Sequence, residues 1–132
     1  MTVLQPPGWP RPSGYANGIV ADGSTIFVGG QIGWDAEGRF VEGLTAQIGQ
    51  ALDNILTVLA EAGAGPSSIV RLTWFVVDVE DYIAQRPAIG RTYVSVMGKH
   101  FPVMSVIGVS RLVERQALVE IEATAVLPRA SA

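Results

Sequence analysis

The chain of 132 residues has no cysteine and only one histidine. The first absence excludes disulfides and thiolate metal sites, and the second leaves His100 without a His or Cys partner for a metal ion. Charged residues make up 16%, below the usual quarter, whereas the hydrophobic share of 48% is ordinary for a globular domain. A surface this poor in charge is expected to meet other protein. No stretch approaches the roughly 18 consecutive apolar residues that cross a bilayer. The opening MTVLQPPGWPRPSGYANG also lacks the basic segment and long apolar run of a signal peptide. These absences lead us to expect a soluble, cytoplasmic protein with no membrane partner. Lys and Arg total 9 against 12 Asp and Glu, a formal charge of −3. That balance gives no general attraction to phosphate backbones, so no nucleic-acid partner is expected. No nucleophile motif, phosphate loop or dinucleotide fingerprint stands in a convincing context, and no cofactor is expected.

What is present fits one domain over residues 1–132, since domains commonly hold ~100–150 residues. Pro6, Pro7, Pro10 and Pro12 fix backbone angles and remove donors, which reads as an extended arm over residues 1–17 without regular structure. GIVADGSTIFVGGQIG reads as a β-hairpin turning at Asp22-Gly23. Between Thr45 and Ala62, the residues Ile48, Leu52, Ile55, Leu59 and Ala62 recur at helical spacing, and Gly63 supplies a stop. SIVRLTWFVVDV alternates Val70, Leu72, Trp74 and Val76 against Arg71, Thr73, Phe75 and Val77, which predicts a central strand. Residues 80–97 read as a second helix that Pro87 either kinks or marks at its first turn. Two further strands are predicted over residues 104–109 and 118–126.

The order ββαβαββ predicts an α+β two-layer sandwich, a mixed sheet with two helices on one face. On the last strand, Val119, Ile121, Ala123 and Ala125 then face the helices, sending Glu120, Glu122 and Thr124 to the other side. With Phe75 and Val77 on that same side, the uncovered face mixes charge with much apolar area. Self-association would bury it.

GYANG, IFVGGQIG, QALDNILTVLAEAGAG, IVRLTWFVVD and ALVEIEATAV, in this order, resemble the Rid/YjgF family, also called RidA or reactive-intermediate deaminase. The resemblance covers nearly the whole chain and implies a chorismate-mutase-like fold and a homotrimer with ligand pockets between subunits. In active members an arginine two residues after a proline binds the carboxylate of a 2-imino or enamine acid. A glutamate on the last strand positions the water that releases ammonia. Carried onto this chain, the arginine position holds Met104 and the catalytic glutamate is Glu120. The resemblance places Tyr15 at the aromatic pocket position and Gly29 and Gly30 at the pocket edge; Val106, on the same strand as Met104, completes the expected ligand-binding set.

A thioether has no fork of donors for a carboxylate, so Met104 cannot replace the arginine. The loss of such an anchor costs ~2–5 kcal/mol, and a neutral or differently charged ligand fits better than the standard amino-acid-derived imine. The chain therefore reads either as an imine or enamine hydrolase or as a non-catalytic ligand-binding or regulatory trimer. Ribonuclease activity is disfavoured by the acidic balance and the lack of a basic stacking surface. Glu120 is a general base or an interface carboxylate, and Glu122 an ion-pair partner for Arg71. Tyr15 is a pocket lid or an arm anchor, and Trp34 a pocket cover or a packed surface aromatic. Arg111 and Arg115 reach a ligand carboxylate from another direction or are solvated.

Overall fold

The helical spacing of Ile48, Leu52, Ile55 and Leu59 gives one apolar stripe, and α1 (Leu44–Ala60) buries all four completely. At ~1.5–3 kcal/mol for each fully buried aliphatic side chain, this stripe is a main source of the fold's stability. Gly63 ends the helix with φ of 72°, a left-handed conformation that glycine adopts without strain. In the computed structural model, residues 1–129 are described; residues 130–132, the tail of the expected domain, lie outside the described residues.

Three strands come before this helix, β1 (Thr2–Leu4), β2 (Gly18–Val20) and β3 (Ser24–Ile32), and after it, past a 3-10 turn at Pro66–Ser68, comes β4 (Ile69–Val76). Helices α2 (Val79–Ala84) and α3 (Arg86–Met97) lead to β5 (Val103–Gly108) and β6 (Val119–Leu127). The main sheet runs β3-β6-β4-β5, antiparallel except for the β4–β5 pair. That parallel pair needs a long crossover, which α2 and α3 provide. Leu72, Trp74 and Val76 from β4 join Val119, Ile121, Ala123 and Ala125 from β6 beneath the helices. The mixed sheet with helices on one face is the predicted α+β two-layer architecture.

Four local expectations change. The arm is not devoid of regular structure, because Thr2–Leu4 pairs antiparallel with Gly18–Val20. That pairing takes β2 away from the expected hairpin, and β3 instead pairs with β6 from Ser24↔Leu127 onward. Gly23 sits so close to Leu127 that a Cβ would lie 2.3 Å from its carbonyl oxygen, so Asp22-Gly23 is a crossing point rather than a two-strand turn. The second helix divides at Gln85, because Pro87 lacks an N–H and serves the first turn of a new helix. In β4 a register shift between Ile69 and Arg71 buries Ile69 fully and leaves Val70 half-buried, which breaks the simple alternation.

A buried amide holds the start of β6. Gln47, 3% exposed, donates from Nε2 to the carbonyls of Val41 (3.2 Å) and Gln116 (3.0 Å), and its Oε1 accepts from the Leu118 N–H at 2.8 Å. Gln47→Leu keeps the volume but strands these backbone groups. It is expected to lower stability by at least ~2 kcal/mol, read as a shifted urea midpoint.

Candidate functional site

Neighbours in register across a sheet point to the same face. Met104 pairs with Leu72 and Val106 with Trp74, so both project to the helix side, at the sheet's outer edge. There they line a cavity of about 570 Å³ with Trp74, Tyr93 and Phe101. The arm closes one side: the Ala16 N–H donates to the Pro102 carbonyl at 3.0 Å, which brings Tyr15 into the lining. Tyr15, Met104 and Val106 thus line one cavity.

The cavity wall is aromatic. Tyr93 stacks on Phe101 with centroids 5.5 Å apart, and Trp74 lies 6.3 Å from Tyr93 and edge-on to Tyr82 at 6.4 Å. The Tyr93 hydroxyl donates to the His100 carbonyl. His100 Nε2 lies 2.7 Å from the Ile69 carbonyl; because a carbonyl only accepts, Nε2 carries the proton. The lone histidine thus ties a loop to β4, in keeping with a structural loop residue. Burial pushes the Tyr93 hydroxyl's pKa up, and that of Tyr82 up as well, where the nearby Arg86 charge opposes it. Both phenols therefore stay neutral at neutral pH.

Glu120 and Glu122 pair with Phe75 and Thr73, which places them on the opposite, uncovered face. The β3–β6 ladder slips between Val28 and Gln31, making Gly29-Gly30 an irregularity in the strand. A Cβ on Gly30 would lie 2.3 Å from Glu120 Oε2, whereas one on Gly29 meets nothing within 4 Å. Gly30 is thus the close seat of the Glu120 carboxylate. Gly29 lines a hollow of about 240 Å³ with Arg71 and Glu122. The predicted site residues accordingly form two groups, Tyr15, Met104 and Val106 on the helix face and Gly29, Gly30 and Glu120 on the other.

One further expectation is corrected. Glu122 makes no ion pair with Arg71: among the described residues, only Arg39 is ion-paired, to Asp35 at 3.2 Å and Glu37 at 3.4 Å. The Asp35 carboxyl is held below its ordinary pKa, chiefly by the Arg39 backbone N–H. Arg111 and Arg115 lie beside Asp78 and Asp81 in a separate hollow, away from the cavity. Trp34 packs on Phe40 at 5.5 Å and does not cover the cavity. Among the described residues, no cluster of three His, Cys, Asp or Glu is placed to hold a metal ion. Sequence reading missed Arg86, Gly90 and Tyr82 in the lining. The signal was Pro87: a helix begun there sets Arg86, Gly90 and Tyr93 along one face at spacings of four and three.

Residues 10–127 match the family model described as Endoribonuclease L-PSP. A RutC family protein of Synechocystis is 33% identical over 97% of this chain and 98% of its own length. A 2-iminobutanoate/2-iminopropanoate deaminase of Salmonella typhimurium is 34% identical over 85% of this chain and 86% of its own. The crystal structure of a Rid family protein of unknown function from Yersinia pestis superposes with a TM-score of 0.83 at 36% identity, covering 96% of this chain and 98% of that one.

Proposed function

The chain belongs to the endoribonuclease L-PSP family, also called Rid/YjgF, and from that membership we propose that it binds a small metabolite and hydrolyses an imine or enamine in a pocket shared between copies of a homotrimer. The observation that carries this reading is the division of the site residues between the two faces of one sheet. One chain offers a ligand cavity without a base and, elsewhere, a carboxylate without a cavity. Packing the uncovered face of one copy against the cavity edge of the next unites them. That face has reason to be covered, since Phe27 is 79% exposed and Ile107 44%.

In the joined pocket, the substrate lies against Met104, Val106 and Tyr15 of one copy, and Glu120 of a neighbouring copy faces its C=N carbon. Glu120 takes a proton from water as the water oxygen bonds to that carbon, and the proton passes to nitrogen. The hydroxyl of the resulting carbinolamine then gives up its proton, which Glu120 passes to nitrogen as the C–N bond breaks, leaving C=O and ammonia. An enamine first gains a proton on carbon to reach the same imine. The Salmonella relative's name, an imine deaminase, supports this reaction type.

Ammonia release from freshly generated imines, corrected for spontaneous hydrolysis, tests the proposal. Native protein is expected to show saturable turnover. Gly30→Ala is expected to lower it about tenfold or more, because the new methyl displaces Glu120. Gly65→Ala, with open space at its Cβ and no place in either group of site residues, serves as the control. Saturable binding of a metabolite with no turnover would instead establish the non-catalytic, ligand-binding protein.

A further inference from the structure

The cavity at the sheet edge contains one charged residue, Arg86, and no carboxylate. Among the described residues, Arg86 has no acidic side chain within 4 Å. Its place is built: Gln85, the joint between α2 and α3, accepts from the Thr45 hydroxyl at 2.6 Å and donates to Asp81 at 2.6 Å. The cation therefore emerges from a fixed point on the rim. Trp74, Tyr82, Tyr93 and Phe101 line the same cavity, with Tyr15 from the arm. The indole Nε1 of Trp74 is buried and has no hydrogen-bond partner, an uncommon state that leaves a donor unused in this wall.

We propose that Arg86 supplies the anion anchor that Met104 lacks, and that the ligand is a small organic carboxylate with a planar, apolar body. The proposal rests on the cavity being the ligand half of the proposed site, and it replaces the expectation of a neutral ligand drawn from Met104 alone. A guanidinium at the rim matches a carboxylate bidentately. The aromatic wall supplies stacking and edge contacts for a flat body and little for a short, polar one. A volume of about 570 Å³ lies within the ~300–1,000 Å³ of ordinary small-molecule sites and exceeds the needs of a three-carbon acid. The position of the charge also differs in origin: it enters from the crossover helix, not from β5.

Equilibrium binding to the full-length assembled protein decides the matter without relying on turnover. Phenylpyruvate provides a carboxylate and a ring, pyruvate the carboxylate alone, and phenylacetone the ring alone. Titrations followed by calorimetry are expected to rank phenylpyruvate at least ~tenfold tighter than either. Arg86→Gln should erase the advantage over phenylacetone, leaving phenylacetone itself unchanged, and Arg86→Lys should restore part of it. Adding Met104→Arg to Arg86→Gln should recover anion binding from the other wall. Unchanged phenylpyruvate affinity in Arg86→Gln would overturn the proposal, as would native protein that binds none of the three. Arg86-dependent binding without imine turnover would reject hydrolysis and leave this assignment standing; turnover indifferent to Arg86 would do the reverse.

Discussion

Glu120→Ala is expected to lower imine hydrolysis by ~10²–10⁴-fold, the usual contribution of a general acid–base group, while ligand affinity stays near native. The expectation follows from where the carboxylate sits. Glu120 stands half-buried on β6, faces Phe75 across the ladder and is seated against Gly30. Among the described residues no Lys, Arg or His pairs with it. An unpaired carboxylate held in one place suits a base that must meet water. Glu120→Gln separates chemistry from packing, since the amide fills the same space and accepts no proton. It should lose as much turnover as Glu120→Ala and leave the particle's mass unchanged. Native-like rates in Glu120→Gln would remove Glu120 from the reaction.

The fold was legible where side chains act locally. The four-three-four spacing of Ile48, Leu52, Ile55 and Leu59 and the alternation of β6 need no knowledge of distant partners. Strand pairing does need it. Asp22-Gly23 has the composition of a tight turn, but the long β3 gains more by pairing with β6, whose inner face completes the core. The short β2 is then left to the arm. The alternation of β6 already put Glu120 on the uncovered face, but the placement of Met104 and Val106 on the opposite, helix side was not legible. It depends on the register that aligns Met104 with Leu72 and Glu120 with Phe75. Arg86 was hidden for a related reason: its spacing gives it the helix face of Gly90 and Tyr93, but that this face lines a cavity depends on β5 and the arm, which are distant in sequence.

The second large effect is a gain. Gly90 on α3 lines the cavity and has open space at its Cβ, so Gly90→Trp is expected to fill the cavity without straining the helix. It should be as inactive as Glu120→Ala, for the opposite reason: it keeps the base and loses the ligand. If each pocket joins the cavity of one copy to Glu120 of the next, the two inactive variants repair each other when they share a particle. In a head-to-tail ring of three, a copy carrying Glu120→Ala contributes an intact cavity, and a neighbour carrying Gly90→Trp contributes an intact carboxylate. With equal amounts of both, about a quarter of the junctions carry two intact halves. The two variants should therefore be unfolded together, refolded as a mixture and assayed for ammonia release, with light scattering to count three chains per particle. Recovery to about a quarter of native turnover, absent when the variants are refolded apart and then combined, is the predicted result. Mixed trimers that remain inactive would contradict the shared pocket.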